Sequence, residues 1–279
     1  MMKLKLLVCC HKEDTKVENE YYIPIHVGKS NSDKDLHITG DNSGDNISHK
    51  NGSYCELTGM YWAWKNLKDT DYIGLCHYRR YFDFSDPKFS LPSKVINTNS
   101  FNKLEFGIPE NIKKELQSGT VILPRTESSK LSLYAEYCIG HYSEDIKIVE
   151  SVINKLEDKR YSTAYDKVMY DNNEFFPYNM FLMSWKEYDK YCSWLFTVLE
   201  EVESLIDISD YNPYQKRIFG FMAERLLNVY VAANNLTVKE YPVLFVSNDK
   251  HETSIYPLHK LRRIINKISS KYASPKKNP

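Results

Sequence analysis

Five short, almost uninterrupted apolar runs constrain this chain more than any other feature: residues 4–10, 72–77, 121–123, 181–184 and 243–246. Strand-length runs that do not alternate apolar with polar are buried on both faces, and that requires helices above and below a largely parallel sheet. The intervening segments supply such helices. Over 54–66, Leu57, Met60, Tyr61 and Trp64 make one apolar face, and 186–205 (Tyr188, Cys192, Leu195, Leu199, Val202) and 214–233 (Ile218, Met222, Leu226, Val229) repeat the pattern. The expectation is one α/β domain over residues 1–257 with a mostly parallel central sheet. Between 29 and 50, Ser, Asn, Asp and Gly replace any apolar period, which predicts a long loop of the kind that is usually functional or mobile.

The composition excludes several classes. With 279 residues, 42% apolar and 27% charged, the chain builds a core without disulfide or metal staples. Its 37 basic and 37 acidic side chains cancel, so nothing favours a nucleic-acid partner. Six cysteines form no CxxC pair and several lie in apolar runs, as reduced core thiols of a cytoplasmic protein do. The first apolar stretch is too short for a signal peptide, and no run approaches the ~18 residues of a spanning helix. The last stretch, 258–279, departs from the rest: seven basic residues and no acid, with Leu258, Leu261, Ile264, Ile265, Ile268 and Tyr272 at helical spacing. This amphipathic tail fits peripheral attachment to an anionic membrane surface at the inner face of the cell membrane, or a terminal helix packed on the domain with a solvated basic face.

Signatures of P-loop kinases, GxGxxG dehydrogenases, α/β-hydrolases and zincins are absent. The densest chemistry is His77-Tyr78-Arg79-Arg80-Tyr81-Phe82, directly after an apolar strand. Ligands of open α/β sheets bind beyond the carboxyl ends of strands. Two adjacent guanidiniums there suit a diphosphate, whose oxygens they grip bidentately; a solvated arginine pair is the plainer alternative. The first strand likewise ends in His11-Lys12. A second cluster, 45–58, contains Asn46, Asn51, Tyr54 and Glu56; Ser53 and Glu56 have the spacing of a capping box, and a helix N-terminus there also offers N–H groups to a phosphate or sugar hydroxyl. Asp69-Thr70-Asp71 has the DxD spacing of cation ligands, but it precedes its strand and is expected at the amino edge, as a turn.

Tyrosine stands out: 22 exceed the 12 Phe and 4 Trp together. Rings with a hydroxyl handle suit carbohydrate, although most will be structural. Segments 175–181 and 211–217 look like the edges of a cleft, which makes Tyr178, Asn179 and Arg217 candidate acceptor contacts. In the helix 217–227, Glu224 is either half of an intrahelical ion pair or a carboxylate presented as general base.

The motifs Asn46-Ile47-Ser48, Tyr54-Cys55-Glu56-Leu57-Thr58, Gly74-Leu75-Cys76-His77-Tyr78-Arg79-Arg80-Tyr81-Phe82 and Phe219-Gly220-Phe221-Met222-Ala223-Glu224-Arg225 resemble a family of bacterial capsular and O-antigen polysaccharide glycosyltransferases formerly described only as a domain of unknown function. The resemblance spans roughly residues 3–247. It implies a GT-A-like (Rossmann-like) nucleotide-sugar fold and transfer from a UDP-sugar to a lipid-linked glycan acceptor, with galactofuranosyltransferases among the relatives. On that reading His11, Lys12, Asn46, Asn51, Tyr54, His77, Tyr78, Arg79 and Arg80 meet the donor. Glu224, with Glu56 as second choice, is the base of an inverting displacement. No metal ligand is assigned, and a need for Mg²⁺ or Mn²⁺ stays open. The alternatives are a non-catalytic carbohydrate-binding protein and a nucleotide-binding subunit of a glycan assembly complex.

Overall fold

The computed structural model describes residues 2–85 and 92–249; the basic tail lies outside them. Their elements run β1 (Leu4–Cys10), β2 (Tyr22–His26), β3 (Thr39–Gly40), α1 (Asn51–Tyr54), α2 (Leu57–Asn66), β4 (Tyr72–His77), β5 (Arg80–Phe82), β6 (Ser93–Ile96), α3 (Thr98–Phe101), α4 (Glu110–Gln117), β7 (Val121–Pro124) and β8 (Glu127–Ser128). There follow α5 (Leu133–Gly140), α6 (Ser143–Lys155), α7 (Arg160–Met169), β9 (Glu174–Phe175), β10 (Phe181–Ser184), α8 (Trp185–Leu205), α9 (Ile218–Ala233), β11 (Val238–Tyr241) and β12 (Val243–Val246). All five apolar runs are strands. They cluster with their neighbours into a first compact unit (residues 2–125, Met180–Lys190 and 237–249), and Thr126–Asn179 with Tyr191–Leu236 makes a second.

The first unit is an α/β sheet ordered β11-β7-β10-β4-β1-β2-β3, continued from β4 through β5 and β12 to β6. Only β5 and β10 run against the other eight strands. β1 is central, paired in parallel with β2 on one side and β4 on the other, and Leu6, Leu7, Val8, Ile73, Leu75 and Cys76 are buried between the faces. Gly74 lets β10 approach β4: a Cβ at that position would lie 2.7 Å from the Phe181 carbonyl oxygen. The Tyr188 hydroxyl fastens the start of α8 to α2 by donating to the Met60 carbonyl at 2.6 Å.

Two local expectations need correction. The helix expected over 54–66 is broken, because Cys55 adopts a left-handed φ of 52° between α1 and α2. The capping box does not form: the Ser53 hydroxyl donates back to the Lys50 carbonyl, and Glu56 occupies the N-cap position of α2 without a side-chain cap bond. The long polar loop, by contrast, is pinned. Asp41 is fully buried and accepts from the Gly28 and Lys29 amides at 2.9 and 3.1 Å and from the Ser48 hydroxyl. Gly28 has φ 71°, and a Cβ there would lie within 2.4 Å of Asn51 Oδ1, so both its conformation and its neighbour demand glycine.

The second unit is helical, built around α9, which is buried on nearly every side. The helix expected from Tyr214 begins as a 3-10 turn (Gln215–Arg217), with Asn212 Oδ1 accepting from the Tyr214 and Gln215 amides. Much of the tyrosine excess is structural here: Tyr137, Tyr165, Tyr191 and Tyr230 are buried, and Trp194 stacks on Tyr161. A two-stranded ribbon, β8 with β9, pairs Glu127 with Phe175.

Candidate active site

Chain order and sheet order locate the ligand edge of the first unit. From β1 the chain builds β2 and β3 on one side, then crosses to β4 on the other, so the crevice beyond the carboxyl ends of β1 and β4 is a topological switch point. His11 and Lys12 leave β1 there, His77 ends β4, and Tyr78 opens the turn that follows. The structure brings these residues together: the Tyr78 amide donates to the Cys9 carbonyl at 3.2 Å, the His11 ring meets the Tyr78 ring edge-on at 5.2 Å, and Lys12 Nζ lies 5.7 Å over the same ring.

Arg79 and Arg80 follow in the tight turn into β5. Both are held by β12, which the sequence places more than 160 residues away. Arg79 Nε donates to the Val246 carbonyl at 2.8 Å, the Val246 amide returns a bond to the Arg79 carbonyl at 2.9 Å, and Arg80 lies directly across from Phe245. Each guanidinium carbon is 5.4 Å from the Phe245 ring. Fixing a long side chain in this way lowers the entropy lost when it grips an anion. Both guanidiniums are therefore ordered before any ligand arrives.

The three other donor candidates, and Glu56, the second choice of base, make contacts within the scaffold. Asn51 spends its amide on the Cys55 carbonyl and the Thr58 hydroxyl, at 2.7 and 3.1 Å. Asn46 folds its own loop, donating to the Gly44 carbonyl and accepting from the Ser48 amide. Tyr54 is buried beneath Lys50, whose Nζ is 5.5 Å from the ring. Glu56 places its main-chain carbonyl within 3.9 Å of Cys9 Sγ. Burial first, and the Glu56 carboxylate second, push the Cys9 thiol far above its ordinary value, which keeps it protonated and unreactive. Asp69 and Asp71 lie at the amino edge, as expected: Asp71 Oδ2 accepts from the Lys3 amide at 2.8 Å, and Asp69 has φ 54°.

In the second unit the remaining candidates meet a network that the sequence did not announce. Tyr178 and Asn179 are consecutive non-glycine residues at φ 74° and 53°, a costly conformation that persists only where its surroundings impose it. Glu224 Oε1 accepts from the Tyr178 backbone amide at 2.5 Å, Glu127 Oε1 from the Tyr178 hydroxyl at 2.5 Å, and the buried Asn179 side-chain Nδ2 donates to the Gly220 carbonyl. The other oxygen of Glu224 is 2.7 Å from Arg225 Nη1, and Arg225 Nη2 is 2.7 Å from Glu136. Burial pulls against the Arg225 charge, but the two carboxylates outweigh it and its pKa is raised. Glu224 thus has an ion pair, to its sequence neighbour, and also carries the strained turn. Arg217 is exposed, its guanidinium 5.4 Å over Phe221. Phe221 packs in turn on His141 at 4.2 Å, and Tyr214 stacks on His141. Glu127 and Glu136 were missed. The signal for Glu127 was available, because it follows the carboxyl end of the 121–123 run just as Arg79 follows 72–77.

A sequence profile described as Domain of unknown function (DUF4422) matches residues 5–235. Among solved structures, the apo structure of the WbbM bifunctional glycosyltransferase is similar, with a TM-score of 0.79 and 33% identity, covering 88% of this chain and 46% of that one. The chain therefore spans less than half the length of that protein. No curated protein matches the sequence. The α/β fold with its mostly parallel central sheet is GT-A-like, as the sequence led us to expect.

Proposed function

The chain belongs to the family described as Domain of unknown function (DUF4422), and we propose that it is a glycosyltransferase that moves a sugar from a nucleotide diphosphate donor to a hydroxyl of a bacterial surface polysaccharide intermediate. The observation that carries this reading is the 33% identity, at a TM-score of 0.79, to part of a bifunctional glycosyltransferase. The basic edge at the switch point of the sheet agrees with it. The donor we favour is a UDP-linked hexose, galactofuranose included, and the acceptor a lipid-linked glycan that the basic tail would help the enzyme reach at an anionic membrane.

In the proposed step an acceptor oxygen attacks the anomeric carbon and the bond from that carbon to the diphosphate oxygen breaks with inversion. The nucleotide diphosphate leaves with the electron pair, and the acceptor proton passes to a carboxylate, Glu224. Negative charge grows on the leaving diphosphate, and fixed guanidiniums aimed at it lower the barrier because they need no reorganisation. That is the role of Arg79 and Arg80, with Lys12, His77 and Tyr78 around them. Asp69 and Asp71 do not fit a cation on this diphosphate, because they sit at the opposite end of β4 with Asp71 committed to the Lys3 amide.

The test is UDP release from UDP-sugars with and without a glycan acceptor. Acceptor-dependent release supports transfer. Glycan binding with neither UDP affinity nor release would instead favour a carbohydrate-binding protein.

A further inference from the structure

The second unit carries a cleft of about 890 Å³ lined by α7, the segment 171–176 and α9. We propose that this cleft binds a stretch of neutral glycan, serving as the acceptor-chain subsite of the transferase reading above, on which the word acceptor rests. Its size lies in the range of sites that enclose small-molecule ligands, about 300–1,000 Å³. Its charge selects among them. Among the described lining residues Asp166, Asp171 and Glu174 outnumber Lys167, a balance that disfavours a nucleotide diphosphate or other polyanion.

What remains is a ligand rich in hydroxyl donors with apolar faces. Carboxylates and the Thr163 hydroxyl accept from such donors, while Val168, Val231, Ala232 and Phe176 offer carbon surface to the C–H faces of sugar rings. The aromatic element is held in place before any ligand arrives. Asn228 brackets the Phe176 backbone, accepting from its amide at 2.8 Å and donating to its carbonyl at 3.1 Å. The Asn172 side chain closes the neighbouring turn by accepting from the Asn173 and Glu174 amides. A site ordered in advance loses less entropy on binding.

The cleft is also joined to the carboxylate network. Thr126, at its edge, precedes Glu127; Phe176 lies two residues before Tyr178; and Asn228 is one helical turn from Glu224, whose carbonyl accepts from its side chain at 2.8 Å. Glu127 and Glu224 are the two carboxylates that Tyr178 joins. A glycan lying in the cleft would be recorded by the same segments that hold the proposed base.

The experiment measures binding of neutral galacto-, gluco- and N-acetylglucosamine tri- to hexasaccharides to the full chain by saturation-transfer NMR, with UDP and spermidine as separate probes. Ala232→Arg places a long cation in the cleft on a half-buried helix position, and Asp171→Ala removes an exposed acceptor. We expect at least one oligosaccharide series to bind, each variant to weaken it by about tenfold or more, and UDP affinity to stay unchanged. Salt-sensitive spermidine binding in place of any oligosaccharide, no oligosaccharide bound at all, or wild-type glycan affinity in both variants would overturn the proposal. Cleft-dependent glycan binding without acceptor-dependent UDP release would leave the cleft standing and remove the transferase reading. Release that is indifferent to Ala232→Arg would do the reverse.

Discussion

Replacing Glu224 by Gln should separate a proton acceptor from a structural anchor. The carboxylate accepts from the Tyr178 amide and from Arg225 Nη1. Gln keeps an oxygen for the amide but turns an NH₂ toward the guanidinium, so donor faces donor. A hydrogen bond to a charged group contributes about 1.5–3 kcal/mol. The Arg225 side chain is 6% exposed and that of Glu224 20%, so solvent screens the pair little, and we expect a loss near ~2 kcal/mol in urea unfolding. Glu136→Gln is the control. It meets the same guanidinium at 2.7 Å but is 37% exposed, and screening reduces the expected loss to ~0.5–1 kcal/mol. If Glu224 is the base, its Gln variant also loses ~10²–10⁴-fold in acceptor-dependent UDP release, assayed well below its unfolding transition, while Glu136→Gln keeps most of its rate. Equal rate losses in the two variants would trace the effect to the Arg225 network and refute the reasoning. Near-normal release in Glu224→Gln would shift the role of base to Glu56.

Gly28→Ala should destabilise by ~1–2 kcal/mol from its left-handed φ alone, and by more because its Cβ overlaps Asn51. Urea titration in an Asn51→Gly background, which removes the Asn51 Cβ as well as its amide, should recover the second part, and equal losses in both backgrounds would contradict the packing argument. Burial, with the Lys29 ammonium adding to it, holds the His26 imidazole below its ordinary 6.5. The unfolded chain therefore takes up a proton near 6.5 while the folded one does not. The stability that neutral His26 preserves is complete above that pH and is lost as pH falls from 6.5 toward the lower folded value. His26→Gln should flatten this part of the urea-midpoint profile, and an unchanged slope would contradict the assignment. Burial pushes the Cys10 and Cys76 thiols up to about 12, and Cys9 and Cys192 are likewise buried, so thiol titration of the native protein at pH 8 should find only the half-buried Cys55 and Cys138. Fast reaction of more than two thiols would show that the core opens.

Wherever a residue run is apolar on both faces, sequence and structure agree: β1, β4, β10 and β12 begin and end where the runs do. β2 escaped notice because Pro24 interrupts it. The strand tolerates that proline because β3 partners it only at Ile25 and His26, so no neighbouring strand needs a donor at Pro24. β11 escaped for the opposite reason: Lys239 and Glu240 are exposed and give an edge strand no apolar signature. The broken helix shows a different limit. Ser53 and Glu56 have capping-box spacing, but spacing alone carries no sign that Cys55 would turn left-handed between them. At the site, the Arg79-Arg80 pair and its position beyond a strand were legible in the sequence. Their anchoring on Val246 and Phe245, the Tyr178 clamp between Glu127 and Glu224, and the Glu136 partner of Arg225 were not, since each depends on contacts between residues far apart in the chain.

The central claim is that the basic carboxyl edge of the sheet holds the donor diphosphate, and calorimetric titration of UDP into the wild-type chain and the Arg79→Ala and Arg80→Ala variants tests it most directly. Each substitution removes one charge-assisted contact of about 1.5–3 kcal/mol, so UDP should bind about ten- to a hundredfold more weakly, with circular dichroism unchanged. UDP affinity equal to wild type in both folded variants would contradict the account.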